Sequence, residues 1–379
     1  MAELNTNKTA RHYTIRYRGR ISQLAIYFGK LLRMFVYQND WKVLPMATLI
    51  AGMVGMVTRI ACFTTLEGTL FGSFAMVCVC VWNGCFNSIQ VICRERDVIK
   101  REHRSGMHVS TYIFSHMVYQ ALLCLAQTAV TINVTILVGV PYPEQGLITE
   151  YFLVDYGISM FLITYASDML SLWVSSLAHN TTTAMTIMPF VLIFQLVFSG
   201  GMLSLPSWTE SITPLTISNP ALKVLAAQSN YNSRPVMTVW NTVNGMKDRE
   251  VSATVTLGQA MDLMQKEDNP IIAEFRAGEL TEGLTVGTLL DQVADNPEVL
   301  AHREDSYTFN TTIGGIMDMI GADRVKNLLQ NRIAEASQVE DYEYSLENII
   351  GYWLQLFLFV IVFAALSIIT LEFIDKDKR

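Results

Sequence analysis

Charged residues are scarce in this sequence: they make up 16% of 379 residues, whereas soluble domains carry about 25%. The phosphate-binding motif G-x-x-x-x-G-K-[ST] is absent, which excludes a P-loop nucleotide site within these residues. Only six cysteines occur, and none lies between residues 206 and 346, so that long segment has no disulfide framework. The polar, basic first 40 residues also lack the apolar core of a secretory signal peptide.

Long apolar runs make up much of the remaining sequence. A membrane-spanning helix needs about 20 mostly apolar residues, and six segments reach that length. They are residues 43–63, 70–92, 112–140, 151–177, 184–205 and 349–371. We therefore expect an all-α integral membrane protein with six transmembrane helices.

Lysine and arginine are distributed unevenly around these runs. The residues before the first run hold eight of them and the loop after the second run holds five, whereas the loops 64–69 and 141–150 hold none. By the positive-inside rule, both termini and the charged loop are cytoplasmic. The segment 206–346 holds twenty Asp and Glu against ten Lys and Arg, and it would then be extracellular. The expected parts are a cytoplasmic N-terminus (1–42), transmembrane helices one to five (43–205), a mostly helical extracellular domain (206–346), and helix six with a cytoplasmic tail (347–379).

The densest cluster of charge lies between the second and third runs. Five basic residues alternate there with Glu95, Asp97 and Glu102, and Asp97 and Arg101 have the spacing of a helical ion pair. A solvated loop explains the bases but not the interleaved acids, so we interpret residues 94–109 as a helix that contacts a protein partner. The pattern E-R-x-x-Φ-x-R-E-x-x-x-G resembles the first intracellular coupling helix of G-subfamily ABC transporters. Its members here are Glu95, Arg96, Ile99, Lys100, Arg101, Glu102 and Gly106.

Two departures from that family concern Ile99 and His108, where Phe and Tyr are usual. The amphipathic stretch 18–35 is similar to the family's N-terminal connecting helix, with Gln23 and Asp40 at matching positions, although a generic interfacial anchor explains it equally well. Residues 171–205 resemble the fourth and fifth spans of type-2 ABC exporters, in which the fifth span ends at a break. That break is Ser199, Gly200 and Gly201.

The resemblance implies a permease subunit, and the absence of cysteine from residues 206–346 fits a bacterial protein of the inner (plasma) membrane. It implies a dimer with a second permease subunit, identical or different, and a separate ATPase subunit that binds ATP and Mg²⁺. No cofactor is then expected in this chain, and no nucleic acid among its partners.

The resemblance also implies a cargo path between the second and fifth spans of the two subunits. The residues placed along it are Trp82, Asn83, Phe86, Asn87, Phe190, Phe194 and Phe198. Helix packing or lipid contact explains the same residues at least as well. Asp168, in a polar stripe on the fourth run, is interpreted first as a structural hydrogen-bond partner and second as a proton-linked group.

The segment 206–346 contains the pattern T-Φ-G-x-x-Φ-D-x-Φ three times, beginning at Thr256, Thr285 and Thr312. Threonine before a short apolar run is a helix N-cap signal, so the pattern predicts three similar short helices, by duplication or by chance. The aspartates lack the spacing of a calcium loop, and no metal site is expected. A helical cap over the exit of the path is the simplest role for the segment.

These features favour the permease subunit of an ATP-driven exporter, which would move a lipid, peptide or drug-like amphiphile out of the cytoplasm or inner leaflet. The chain would be a transporter subunit without catalytic residues. The alternative is a membrane scaffold or receptor whose extracellular domain binds a ligand and whose charged hairpin recruits a soluble partner. A membrane-embedded enzyme is a third possibility, but His116 and Asp168 are too few groups for an acid–base or metal site.

Overall fold

The structure, a computed structural model of the chain, describes residues 19–37, 40–200, 209, 211–265, 270–281 and 284–373. The predicted break residue Gly201 and the predicted cytoplasmic tail after Phe373 lie outside the described residues. The chain divides into two compact units. The first comprises Met1–Thr64, Gly68–Tyr231 and Asp341–Arg379, and the second comprises Thr65–Glu67 and Asn232–Glu340.

Helices dominate the described residues, and four short strands accompany them. The helices are α1 Arg20–Tyr37, α2 Val43–Thr58, α3 Leu66–Ser88, α4 Val91–Arg104, α5 Val109–Val138, α6 Phe152–Leu177, α7 Thr181–Val197, α8 Ser218–Gln228, α9 Thr238–Gly245, α10 Leu257–Met264, α11 Pro270–Arg276, α12 Val286–Ala294, α13 Pro297–Ala301, α14 Ile313–Ile320, α15 Ala322–Ser337 and α16 Leu346–Glu372. The strands are β1 Glu250–Thr256, β2 Glu279–Thr281, β3 Leu284–Thr285 and β4 Ser306–Thr312.

Four segments of the described chain are long and apolar enough to cross a membrane: Leu66–Arg104, which contains α3 and α4, and the helices α5, α6 and α16. They correspond to the second, third, fourth and sixth predicted runs. The first and fifth runs form α2 and α7, which have 16 and 17 residues. At 1.5 Å per residue they are roughly 24–26 Å long, shorter than a hydrocarbon core of about 30 Å. The count of six spans therefore stays a prediction.

Small and polar side chains let α3 and α6 approach closely within the first unit. A Cβ atom added at Gly84 of α3 would collide with the backbone carbonyl of Thr164 on α6. Ser171 Oγ lies 3.5 Å from the Gly84 carbonyl, and Ser175 Oγ accepts a hydrogen bond from the Ile92 amide at 3.1 Å. The predicted polar stripe on the fourth span thus packs against α3 and the start of α4, as small residues do between membrane helices.

Helix α7 ends at Val197, two residues before the first residue of the predicted break, Ser199, and Gly200 has a left-handed φ of 82°. The chain then returns as the buried helix α8. Gln195 Oε1 accepts a hydrogen bond from the Ile217 amide at 2.8 Å, so a side chain of α7 satisfies the start of α8. Because α8 packs against α6 and α16, it belongs to the first unit, and the long segment of the second unit starts at Asn232. The extracellular domain 206–346 stays a prediction.

The second unit contains α9 to α15 and two antiparallel pairs of strands, β1 with β4 and β2 with β3. Each predicted threonine caps a helix directly after a strand. The side chains of Thr256, Thr285 and Thr312 accept hydrogen bonds of 3.1–3.3 Å from amides three residues later. The prediction of three similar short helices is confirmed.

The expectation of an all-α chain is incomplete, because it omits the four strands of the second unit. β1 and β4 are seven residues each, with apolar and polar residues in alternation, and they pair from Glu250 opposite Thr312 to Thr256 opposite Ser306. A helix signal directly follows β1, β3 and β4 and dominates the sequence pattern, so these extended residues are easily assigned to the helix that comes next.

Candidate functional site

The charged segment between the second and third runs forms helix α4, which is anchored by a narrow apolar face. Ile92 and Ile99 are fully buried and Cys93 is 6% exposed. Burial of a large aliphatic side chain contributes about 1.5–3 kcal/mol. The charged residues therefore lie on a helix whose apolar face is packed into the protein core.

Helix α4 ends in a Schellman motif built on the predicted glycine. Gly106 has a φ of 97°, a left-handed conformation that disfavours other residues. The Gly106 amide donates to the His103 carbonyl, and the Met107 amide donates to the Glu102 carbonyl, both at 3.0 Å. Gly106 thus sets the length of α4 and the direction in which the chain enters α5.

One face of the amphipathic helix α1 holds the charged helix through polar contacts. Gln23, Tyr27 and Lys30 lie on this face because they are four and three residues apart. Lys30 Nζ is 2.8 Å from Glu95 Oε2, and the Tyr27 hydroxyl donates to Glu102 Oε2 at 3.0 Å. The pKa of Tyr27 lies above its usual range, first because of burial and then because of the Glu102 carboxylate. The phenol therefore stays protonated and donates this hydrogen bond.

Gln23 fastens the turn after α4. Its Nε2 donates to the Gly106 carbonyl at 3.3 Å, and its Oε1 accepts from the His108 amide at 3.1 Å. We call the contacts of Gln23, Tyr27 and Lys30 with α4 and the turn after it the α1 brace. Both the nitrogen and the oxygen of the Gln23 side-chain amide form hydrogen bonds with the turn, so the turn has a defined position against α1.

A second attachment joins α4 to the end of α6. Arg96 Nη1 donates to the carbonyls of Ser176 and Ala178, at 2.8 and 3.0 Å. The last carbonyls of a helix lack partners within the helix, and cations are favourable beside them. Arg96 therefore holds the predicted fourth span by its C-terminus.

The predicted coupling residues consequently divide into two groups. Glu95, Arg96, Glu102 and Gly106 bond to α1 or to the end of α6 and Ile99 is fully buried, whereas Arg101 donates within α4 to the Asp97 carbonyl. Arg101 is exposed, and Lys100 is partly buried. The exposed stripe on the far face of α4 consists of Asp97, Arg101 and Arg104.

Sequence reasoning identified Gln23 as a matching position but missed Tyr27 and Lys30. Tyr27 lies four residues after Gln23 and Lys30 lies three residues after Tyr27, which places all three on the same helix face, and this was the available signal. Their partners lie 75 and 65 residues away, and no local pattern reveals such pairs.

The predicted path residues also divide by location. Trp82 and Phe86 are 43% and 44% exposed and stack with ring centroids 5.8 Å apart on α3. Phe194 is 42% exposed, and its ring lies 4.8 Å from that of Phe198 at the end of α7. Phe190 is the most exposed of the set, at 71%. These aromatic side chains are open to a partner, a cargo molecule or lipid.

The two asparagines of the predicted path face the interior instead. Asn83 is buried, and Asn87 forms a two-way amide pair with Gln127 of α5, with hydrogen bonds of 2.8 and 3.0 Å. Each amide donates one hydrogen bond and accepts one. Asn87 therefore joins α3 to α5 in this structure.

Asp168 lies fully buried in the same polar region. Cys124 Sγ is 3.9 Å from Asp168 Oδ2, and Oδ1 has no hydrogen-bond partner among the described residues. A buried polar atom without a partner costs about 1–3 kcal/mol. Within the part of the chain that the structure describes, no group of three or more His, Cys, Asp or Glu residues is placed to hold a metal ion.

The long apolar helices are those of a helical membrane protein. Residues 8–222 match the profile of the family described as ABC-2 type transporter, which covers more than half of the chain. The chain belongs to this family of ABC transporter membrane domains, whose members are permease components and are not themselves catalytic.

One relative is the ABC transporter ATP-binding/permease protein Rv1747 of Mycobacterium tuberculosis. It is 30% identical to this chain over 129 residues, which cover 32% of this chain and 14% of that protein. The chain therefore corresponds to a small part of the relative.

Proposed function

We propose that this chain is the permease subunit of an ATP-driven exporter and that helix α4 receives the force of a separate ATPase subunit. Membership of the family supports a permease role. The observation that carries the proposal is the division of α4 into an inner face fixed to the spans and an exposed charged stripe. The stripe is the docking surface, and the inner face transmits its displacement.

The attachments of α4 define two routes for that displacement. The Arg96 contacts lead to the end of α6, and the α1 brace leads to the amphipathic helix that precedes α2. Ile99, on the inner face of α4, is fully buried and prevents α4 from tilting independently of the helices against which it packs. A push on the stripe therefore moves α1, α6 and the start of α5 together.

The proposed arrangement in the membrane has six spans, both termini in the cytoplasm and an extracellular insert between the fifth and sixth spans. The uneven distribution of Lys and Arg supports this orientation. The short helices α2 and α7 would span by local thinning of the bilayer or with the help of flanking residues. The insert, including the second unit, would cover the exit of the path.

The proposed cargo is an amphiphile, either a lipid, a peptide or a drug-like molecule. Support comes from the half-exposed aromatic side chains Trp82, Phe86 and Phe194, which offer flat apolar surface. In a dimer with a second permease subunit, these surfaces would line the space between the subunits. Export is the proposed direction, and a bacterial inner membrane the proposed location.

The test is co-expression of the tagged chain with the ABC ATPase encoded nearest to its gene. Asp97→Lys and Arg101→Glu reverse two charges of the exposed stripe and are expected to reduce retention of the ATPase at least tenfold. Asp323→Lys in the second unit is the matched control, since Asp323 is also an exposed helical acid. The control should retain the ATPase fully.

Equal retention by all variants would contradict docking through the stripe. Failure of the wild-type pair to hydrolyse ATP in proteoliposomes would favour the alternative, a scaffold or receptor whose charged hairpin recruits a different soluble partner. Correct membrane insertion of each variant is checked by protease accessibility.

A further inference from the structure

A cavity of about 200 Å³ lies inside the first unit, among α1, α3, α4 and α5. Leu31 and Met34 of α1 and Leu123 of α5 form an apolar part of its wall, and His116 and Gln120 of α5 form a polar part. Water occupies about 30 Å³ per molecule, so the space suits a molecular fragment of headgroup size. The mixed wall suits a molecule with a polar end and an apolar end.

Two buried groups in the cavity wall have hydrogen-bonding capacity that the described residues leave unused. His116 is 1% exposed, and neither of its ring nitrogens has a partner there. Gln120 is equally buried; its Nε2 donates to Ser88 Oγ at 2.8 Å, but its Oε1 has no partner. A neutral imidazole offers one donor and one acceptor, and an amide oxygen is an acceptor. The unused donor and acceptors of His116 and Gln120 are therefore suited to hydroxyl groups of a ligand, because a hydroxyl group both donates and accepts hydrogen bonds.

The charged groups at the cavity add a preference for an anion. Arg94 and Glu95 both line it. Glu95 is neutralised by Lys30, 2.8 Å away, so the guanidinium of Arg94 is the remaining charge of the three. Arginine suits phosphate because its planar fork offers two parallel donors.

The location favours a lipid over a soluble molecule. The cavity is closed on one side by α1, an amphipathic helix whose Ile21, Val36 and Tyr37 side chains are largely exposed, as expected for a helix lying in a membrane surface. His116 lies seven residues into α5, roughly 10 Å from the helix start. That is the depth of lipid headgroups and upper acyl chains if the cytoplasmic placement of α4 in the proposed function is right, and the inference rests on it.

We infer that this cavity binds the headgroup of an anionic, hydroxyl-bearing glycerophospholipid of the cytoplasmic leaflet, with phosphatidylglycerol as the representative. The phosphate lies beside Arg94, the glycerol hydroxyls bond to His116 and Gln120, and an acyl chain leaves along Leu31 and Leu123. A lipid in this position sits directly behind the α1 brace and fills the gap between α1 and α5.

The experiment is native mass spectrometry of the detergent-purified full chain, titrated with phosphatidylglycerol or phosphatidylcholine. The wild type is expected to bind phosphatidylglycerol about tenfold more tightly than phosphatidylcholine. His116→Leu and Gln120→Leu should each weaken phosphatidylglycerol binding about tenfold, and Arg94→Gln should remove the preference between the two lipids. Soluble glycerol 3-phosphate should not displace the lipid, because the apolar wall contributes to binding.

The matched control is Thr128→Val. Thr128 is also a buried residue of α5 whose hydroxyl has no partner among the described residues, but it does not line the cavity. Leu123→Phe tests the same space from its apolar side and should weaken lipid binding without altering any polar group. Thermal denaturation confirms that each variant is folded.

Unchanged phosphatidylglycerol binding in the folded His116→Leu, Gln120→Leu and Leu123→Phe variants would overturn the inference and leave a cavity that holds water only. Equal loss in Thr128→Val, or displacement by glycerol 3-phosphate, would overturn it as well. The measurement needs no ATPase. If phosphatidylglycerol binding is unaffected by the cavity variants but the stripe variants lose the ATPase, the lipid inference fails and the proposed function stands. If the cavity variants lose lipid binding but the stripe variants retain the ATPase, the lipid site stands and docking through the stripe fails.

Discussion

Two acidic residues of the charged segment contact α1 and not a partner protein, in contrast to what the sequence motif suggests. Glu95 and Glu102 stand in a motif expected to face a partner, yet their carboxylates accept contacts from Lys30 and Tyr27 of α1. Reversal of Glu102 would therefore act first on the α1 brace. Asp97 and Arg101 are better positions for testing a partner surface because they are exposed and do not line the cavity.

The Lys30–Glu95 ion pair should show measurable coupling in a double-mutant cycle. Lys30→Glu and Glu95→Lys each place like charges together and should lower the melting temperature in detergent, whereas the exchanged pair should recover most of the loss. Because Lys30 is 34% exposed and Glu95 14%, the coupling energy should be about 0.5–1 kcal/mol. Additive losses in the exchanged pair would show that the two charges do not interact.

The Tyr27–Glu102 hydrogen bond should depend on pH only in the alkaline range. The pKa of Tyr27 is raised in the folded protein, and that of an unfolded tyrosine is about 10. Its stabilising contribution is therefore fully present below pH 10 and is lost as the pH rises further. The difference in melting temperature between wild type and Tyr27→Phe should be constant from pH 6 to 9. A difference that disappears at pH 8 would mean that the phenol ionises early.

At the scale of elements, glycines allow the closest contacts in both units. Gly84 brings α3 against α6, and the glycine of each threonine-capped helix lies against a basic side chain that precedes a strand. Two of these basic side chains also pair with the aspartate of the motif. The contacts are Gly258 and Asp262 with Arg303, Gly287 and Asp291 with Arg276, and Gly314 with Lys247. The repeated pattern is thus a docking motif for a basic residue.

Gly84→Ala should destabilise the first unit because the added methyl group would meet the Thr164 backbone, which has little freedom to move. Overpacking of this kind costs about 1–3 kcal/mol, and the melting temperature should fall by several degrees. Gly351→Ala in α16 is the matched control, since no atom lies within 4 Å of an added Cβ there. The control should be neutral or slightly stabilising. Equal melting temperatures for the two variants would exclude a tight contact at Gly84.

Local signals and long-range pairings differ in how far the sequence reveals them. Run length predicted the spans α3, α5, α6 and α16, and threonine with apolar periodicity predicted the three capped helices, because both signals lie within one element. The α1 brace and the Arg303–Asp262 pair join residues 41 to 85 positions apart, and their specificity arises only when the elements pack. The inward orientation of Glu95 and Asn87 was hidden for the same reason.

At the scale of the molecule, the long segment 232–340 starts and ends beside residues of the first unit that contact each other. The rings of Tyr231 and Tyr342, the residues flanking the excursion in the first unit, lie 5.2 Å apart. Within the second unit, Asn232 exchanges two hydrogen bonds with the backbone of Val339, at 2.9 and 3.1 Å. Each unit therefore holds the two ends of its own chain segments together, and residues 232–340 are an insertion in the sequence of the first unit.

Replacing residues 232–340 with a short Gly/Ser linker should preserve the first unit, because Tyr231 and Tyr342 need no long chain to stay in contact. The variant should insert into membranes, retain the ATPase encoded nearest to its gene and hydrolyse ATP in proteoliposomes. Transport of a panel of fluorescent amphiphiles into inverted vesicles should change in rate or selectivity, because a cover over the proposed exit is gone. Loss of ATPase retention by the correctly inserted deletion variant would instead show that the second unit braces the bundle.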